Sequence, residues 1–523
     1  MNAHMRRTAH ALAAILAIAA ANPSRAQTIP WTSTGTAIGD YFGQSIGGGD
    51  LDGDGLADVI VGAPQPDPNH LGTGYVRAIS GASGAAMFTV FGDAVGDDFG
   101  RSVAVVGDLD HDGRADFVVG APRNSAHGTG AGLVRAFSGN GAVLYTVLGD
   151  NAGDALGTCV AGIGDVDGDG YPDFIAGAPQ TSTAKGYARL YSGRTGAVIA
   201  TLRGQAAGDR FGTTVSGAGD VDHDSVPDFM VGATGSATAG AGAGSVYVLS
   251  GASLSLLFEF DGPSPDAQLG DAIASAGDVN GDGYPDFVLA ASRDQGGEGS
   301  VFVYSGRNGG VMYHFTGSTD DDFLGRGVTG LGDVDGDGYD DFAIAGQEDS
   351  NDVHTGMVHV RSGRDGSLIQ TLFGDQTEDE FGLGLARIGD VDGDGLADVV
   401  VGANEGVHNN PRPGYARAYL GCRTKIVTYG DACEGSGMSH ARLSVASCPH
   451  SGGLYTLTVS GALGGAHAIA RFGFGEASIP LANGCTLYLG AMSHLSMPLV
   501  LQGSGAGNGF ATFEGSIPAS FPS

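Results

Sequence analysis

The chain has 523 residues, of which 95 are glycine and only 16% are charged. Glycine is a poor helix residue and few charged side chains remain for i,i+4 pairing, so long helices are excluded and many short strands joined by tight turns are favoured. The formal net charge is −33, with Lys185 and Lys425 the only lysines. There is no basic patch, so neither nucleic acid nor an anionic membrane surface is an expected partner.

Residues 1–26 read as a secretory signal peptide. Arg6 and Arg7 give a positive start, 11–21 is an apolar run too short to span a bilayer comfortably, and Ser24-Arg25-Ala26 offers small residues for cleavage before Gln27. No cysteine follows the cleavage point, so a lipid anchor is not expected. Loss of Arg6, Arg7 and Arg25 takes the mature charge from −33 to −36. The expectation is a secreted, extracellular or cell-surface chain with no membrane insertion, and a monomer.

From 27 to 420 the sequence is one repeated unit. Each copy opens on an acidic turn and an aromatic- or leucine-glycine pair: Phe42-Gly43, Phe99-Gly100, Leu156-Gly157, Phe211-Gly212, Leu269-Gly270, Leu324-Gly325 and Phe381-Gly382. A short run of small and branched residues leads to an aspartate loop, Asp50-Leu51-Asp52-Gly53-Asp54-Gly55-Leu56-Ala57-Asp58 in the first copy. The loop recurs at Asp108, Asp165, Asp220, Asp278, Asp333 and Asp390, at intervals of 58, 57, 55, 58, 55 and 57 residues. Next come an apolar run such as Asp58-Val59-Ile60-Val61-Gly62-Ala63-Pro64, a variable polar loop, an alternating stretch such as Gly74-Tyr75-Val76-Arg77-Ala78-Ile79-Ser80-Gly81, and a last strand such as Ala86-Met87-Phe88-Thr89-Val90-Phe91-Gly92. Four strands in about 57 residues are one propeller blade, and seven copies predict an all-β, seven-bladed β-propeller. The seventh unit lacks a fourth strand, while 28–36 is an orphan strand. The N-terminal segment is therefore expected to complete the last blade and close the ring, which removes its strand edges.

In each aspartate loop, alternate side chains converge, and glycine at position 6 permits the sharp turn. Carboxylates at positions 1, 3, 5 and 9, with a backbone carbonyl at position 7, make a set of hard oxygen donors suited to calcium. The candidate ligands, with the position-7 carbonyl in its place, are Asp50, Asp52, Asp54, Leu56 and Asp58; Asp108, Asp110, Asp112, Arg114 and Asp116; Asp165, Asp167, Asp169, Tyr171 and Asp173; Asp220, Asp222, Asp224, Val226 and Asp228; Asp278, Asn280, Asp282, Tyr284 and Asp286; Asp333, Asp335, Asp337, Tyr339 and Asp341; Asp390, Asp392, Asp394, Leu396 and Asp398. An EF-hand is excluded, because position 12 of the first copy is Val61 in a strand-like run rather than a glutamate before a helix. Magnesium is disfavoured by its demand for near-ideal octahedral geometry. Of the 28 side chains at the four carboxylate positions, 27 are acidic, and seven Ca2+ ions would bring the mature charge from −36 to −22. The ions are expected to be mainly structural, up to one per blade. Asn280 and Ser225, which replace an aspartate and a glycine, mark the two loops expected to bind most weakly. The competing reading is that the aspartates only cap turns.

The Phe-Gly openings and the endings Gly62-Ala63-Pro64, Gly120-Ala121-Pro122 and Gly177-Ala178-Pro179 resemble FG-GAP repeats, the family that includes the integrin α-subunit propeller. The later endings depart from it: Gly232-Ala233-Thr234, Ala290-Ala291-Ser292, Ala345-Gly346-Gln347 and Gly402-Ala403-Asn404. The resemblance implies the same propeller, with the aspartate loop between the first and second strands of each blade.

Residues 421–523 read as a second, small β-sandwich-like domain, with runs such as Tyr455-Thr456-Leu457-Thr458-Val459 and Cys485-Thr486-Leu487-Tyr488-Leu489. Cys422, Cys433, Cys448 and Cys485 suggest disulfides in an exported chain, with three pairings open. The segments around Cys433 and Cys485 resemble a C-terminal module of secreted bacterial proteins. That likeness implies pairing Cys433 with Cys485 and Cys422 with Cys448, and a module that could be incomplete at its end.

A ligand site is expected among the variable loops between second and third strands, 65–73, 123–129 and 405–413 among them. The second-to-third-strand loops carry His70, His127, His354, His408, Lys185, Arg293 and Arg412. No zinc-site spacing and no Gly-x-Ser-x-Gly elbow occurs, so no catalytic residue is assigned. Cys159 occupies a position filled elsewhere by Ser45, Ser102, Thr214, Ala272, Gly327 and Gly384 and reads as a buried free thiol in a packing slot. Arg364-Asp365 reads as a turn. Together these features point to an exported, calcium-binding propeller that acts as a binding or adhesion protein for an extracellular glycan or protein. The alternatives are a structural surface or matrix protein and a propeller-type enzyme acting on polysaccharide.

Overall fold

The computed structural model describes residues 31–421 except 67–71, 181–183, 320, 348–355, 376–378, 392, 394 and 405–411, and beyond them the backbones of seven strands. The signal segment, the four C-terminal cysteines, His70, His354, His408, Asp392 and Asp394 lie outside the described residues, as does the proposed disulfide pairing. Residues 29–421 form one compact unit, and 422–523 belong to a second.

The first unit is a ring of seven four-stranded antiparallel sheets. Blade one contains Ser45–Gly49, Asp58–Ala63, Tyr75–Ile79 and Ala86–Phe91, each paired with the next in sequence. The seventh blade contains Phe381–Gly389, Asp398–Ala403 and Tyr415–Tyr419, and its outer strand is Thr32–Thr34 from the other end of the chain. Thr32 pairs with Arg417 and Thr34 with Tyr415, so the expected closure is present, on a shorter strand than 28–36. Trp31 anchors this strand by donating its indole N–H to the Gly81 carbonyl of blade one at 2.9 Å.

The second strand of every blade is buried throughout. It has a neighbouring blade on either side and therefore reads as a continuous apolar run, without the alternation of a half-exposed strand. The outer strands carry the exposed apolar residues, such as Phe91 and Val143.

The glycine pairs of the repeat form the seam between blades. In blade one, a Cβ on Gly62 would lie 2.2 Å from the Gly100 carbonyl oxygen of blade two. The same approach recurs between Gly120 and Gly157, Gly177 and Gly212, and, across the closure, Gly402 and Gly43, at 2.1, 2.0 and 2.1 Å. Backbone from one blade touches backbone of the next, and no side chain fits between them. The hydroxyls of Ser45, Ser102 and Thr214 complete the seam by donating to the carbonyls of Gly100, Gly157 and Gly270 at 2.9, 2.9 and 2.6 Å. On the outer side, the Arg135, Arg189 and Arg417 guanidinium groups each reach back to the preceding blade's Asp93, Asp150 and Asp375 at 2.5 Å.

The second unit holds seven strands from Arg442–Val445 to Gly509–Ser516, in one three-stranded and two two-stranded sheets. Its strand Leu454–Ala462 contains the first run singled out by sequence, and Thr486–Leu489 covers the last four residues of the second.

Candidate metal centre

Each aspartate loop is the hairpin between a blade's first and second strands. In loop one the Asp50 carboxylate accepts from the Gly53 and Gly55 N–H groups at 2.7 and 2.9 Å, and Asp52 accepts from Asp54 N–H at 3.0 Å. Asp54 accepts from Leu56 N–H at 2.8 Å. These bonds wind the loop into a tight coil, and equivalent bonds recur in the other copies, for instance from Gly170 N–H to Asp165 at 2.9 Å.

Among the described residues, five loops bring three carboxylates together with oxygens within 4.8 Å of one another. These are Asp50, Asp52 and Asp58; Asp108, Asp110 and Asp116; Asp165, Asp167 and Asp173; Asp220, Asp222 and Asp228; and Asp333, Asp335 and Asp341. Positions 1, 3 and 9 therefore converge. The position-5 carboxylates Asp54, Asp112, Asp169, Asp224 and Asp337 stand outside these triads. Three carboxylates this close fit a hard divalent cation, and they repel one another without one.

The aspartate at position 9 has a second task that the spacing does not reveal. Asp58 is buried and accepts from Leu51 N–H at 3.0 Å and from Gly81 N–H at 3.1 Å. Gly81 opens the turn between third and fourth strands, so one carboxylate ties two hairpin ends together. Asp116 does the same with Leu109 and Gly139, and Asp173 with Val166 and Gly193. Burial raises these carboxyls, and the aspartates at positions 3 and 5 push Asp58 further up. Asp58, Asp116 and Asp173 are raised to about 6, and Asp286 and Asp341 to about 7.

Loop five is built differently. The Asn280 amide donates to both Asp286 oxygens, at 3.3 and 3.1 Å. An N–H donor stands where the other loops have a third carboxylate, so this loop satisfies itself. In loop four, Ser225 keeps the backbone of the glycine it replaces, at φ 72, and still donates its N–H to Asp220 at 2.9 Å. A serine there carries strain that glycine avoids.

The remaining candidates are dispersed. His127 Nδ1 lies 2.8 Å from the Gly149 carbonyl and holds its own loop, and Arg412 pairs with Asp379 at 3.8 Å. Asp365 accepts from Ser367 N–H at 2.9 Å, as a turn residue does. Cys159 is a free thiol, half-buried where full burial was expected, and it packs against the cluster that holds Val215. The Val215 N–H of blade four approaches its sulfur at 3.4 Å, where Ser102 and Thr214 make a hydroxyl bond. Desolvation pushes the thiol above its usual pKa, which keeps it protonated. Sequence reasoning missed a second repeated carboxylate, two residues before the opening glycine pair's aromatic or leucine. Asp40 accepts from Thr36 N–H, Ala37 N–H and the Tyr75 hydroxyl at 2.7, 2.9 and 2.7 Å and braces the turn between blades. Its recurrence at Asp97, Asp154, Asp209, Asp322 and Asp379 was the available signal.

The FG-GAP repeat family model matches residues 42–77, 99–137, 160–199 and 211–249, and the FG-GAP-like repeat model matches 278–344. Integrin alpha-4 of Xenopus laevis is 34% identical over 185 residues, covering 33% of this chain and 18% of that protein. Integrin alpha-V of Gallus gallus is 31% identical over 217 residues, covering 38% and 20%. Integrin alpha-PS5 of Drosophila melanogaster is 36% identical over 173 residues, covering 28% and 16%. The chain thus spans about a fifth of the length of the curated relatives it matches. Among the described residues no helix is long and apolar enough to cross a membrane. The four FG-GAP matches fall one in each of the first four blades, the FG-GAP-like match runs from blade five into blade six, and the chain carries FG-GAP repeats on a seven-bladed, integrin α-like β-propeller.

Proposed function

We propose that this is an exported, calcium-binding propeller that recognises an extracellular protein or glycan, with its ions structural and its ligand on the opposite face. The observation that carries this reading is the partition of the blade's connections. Antiparallel strand order sends the aspartate loops and the third-to-fourth-strand turns to one side. The second-to-third-strand loops and the links between blades go to the other. One side repeats its carboxylate triads from blade to blade, whereas on the other the second-to-third-strand loops vary in length and chemistry, as a recognition surface does.

On the variable side, Asp98 is buried with one carboxylate oxygen lacking a hydrogen-bond partner, and the other is 3.1 Å from Nε of Arg123. A buried unpaired acceptor is costly, and the Arg123 side chain that it holds is exposed on this side. Asp98 and Arg123 are therefore the first residues assigned to the ligand site. Similarity to integrin α subunits supports a protein ligand. The aspartate triads support calcium as the ion, bound by positions 1, 3 and 9 and main-chain carbonyls.

The test is capture from an extracellular matrix or secretome extract and binding to a glycan array, each with calcium and with chelator. The expected result is saturable binding that Asp98→Ala and Arg123→Ala abolish without lowering the melting temperature in calcium. Binding that is unaffected by both substitutions overturns the assignment of that face.

A further inference from the structure

Five aspartate loops touch the loop of the next blade in the same register, with position 4 of one facing position 7 of the next. A Cβ on Gly53 would lie 3.7 Å from Cγ of Arg114, one on Gly281 3.0 Å from Cε1 of Tyr339, and one on Gly393 3.9 Å from Cδ2 of Leu56. In two loops position 4 is histidine. His111 stacks on Tyr171 with ring centroids 3.8 Å apart and planes at 8°, and His223 stacks on Tyr284 at 4.0 Å and 8°. The Nε2 atoms lie 3.2 and 3.1 Å from the Gly170 and Gly283 carbonyls, at position 6 of the partner loop. Arg194 and Arg307 reach the same tyrosine rings at 5.0 and 5.7 Å.

Both histidines sit in the left-handed region, at φ 58 and 59. The other five loops place glycine at this position, with φ between 72 and 81. A histidine there is strained relative to glycine, and such strain persists only where the surroundings hold it. What distinguishes these two loops is the aromatic stack on the neighbouring loop, which is the gain that offsets the strain.

We propose that the His111–Tyr171 stack couples ion binding in adjacent blades, so that loops two and three fill as a pair. The proposal rests on the calcium reading above. His111 lies between Asp110 and Asp112, and Tyr171 supplies the position-7 carbonyl of its own loop. An ion that orders either residue fixes one side of the stack and lowers the ordering cost of the other loop. Coupling of this kind is reciprocal.

The full-length chain is titrated with calcium chloride while hydrogen–deuterium exchange mass spectrometry reads each loop separately. Asp165→Asn removes a ligand from loop three. In the chain with His111, this substitution shifts the calcium midpoint of loop two upward about three- to tenfold, the size of one aromatic pair, and leaves loop six in place. In a His111→Gly background, which carries the glycine of five other loops and so keeps the fold, the midpoint of loop two does not move. Tyr171→Ala behaves like His111→Gly, whereas Tyr171→Phe retains the coupling because the stack needs only the ring. Equal shifts in both backgrounds, or none in either, overturn the coupling. Wild-type chain in which calcium protects no loop overturns the calcium reading as well.

Discussion

The aspartate loop recurs in every blade and the seam glycine in five of the seven, with Ala290 and Ala345 in its place in the other two, yet the two features solve opposite problems. At the seam, backbone meets backbone across the blade boundary, as at Gly120 and Gly157, and the protein's own atoms fill the space. At the loop, three carboxylates converge and the protein's own atoms leave the charge unbalanced, as at Asp108, Asp110 and Asp116. Loop five lies between these cases, because the Asn280 amide supplies from within what the other loops require from outside. Regular repetition therefore marks either self-sufficient packing or a shared need for a ligand, and the atoms around the repeat decide which.

The largest way to sharpen this contrast is metal removal. A ligand present at a hundredfold over its Kd stabilises by about 2.7 kcal/mol per site. Several filled loops together are expected to lower the melting temperature by well over 10 °C on chelation, as read by calorimetry. An unchanged melting temperature breaks the comparison. The seam comes next. Gly120→Val places a side chain where even a Cβ would be 2.1 Å from a carbonyl oxygen, and a loss of about 3 kcal/mol or more is expected in denaturant melts with or without calcium.

The pH response of the metal-free chain follows. Asp58, Asp116 and Asp173 are raised to about 6, and Asp286 and Asp341 to about 7, from an ordinary 3.8. A carboxyl raised in the folded state binds more protons folded than unfolded. Its contribution is therefore present below about pH 4 and lost as pH rises through 6 to 7. The metal-free chain is expected to melt higher at pH 5 than at pH 7.5, and saturating calcium is expected to flatten or reverse that trend. A smaller effect is expected from Asn280→Asp. It removes an internal donor and adds a carboxylate, costing about 1–3 kcal/mol without calcium and much less with it. Arg135→Ala is expected to cost least, about 0.5 kcal/mol, because its partner Asp93 is half exposed and solvent screens the pair.

Sequence alone determined the number of blades, the placement of the aspartate loops and the closing N-terminal strand. These follow from a period of 55 to 58 residues, from runs of one strand's length, and from a missing strand at one end matched by a spare at the other. Local chemistry also made Asn280 and Ser225 stand out. Tertiary structure alone decided what each repeated residue does. Gly62 meets Gly100 and Ser45 donates to its carbonyl, Asp58 ties the loop to Gly81, and His111 lies on Tyr171, all between residues 23 to 60 positions apart. Spacing in sequence records that a residue recurs. Which blade it faces depends on how the sheets pack around the ring, and that packing brings together residues whose separation carries no local signal.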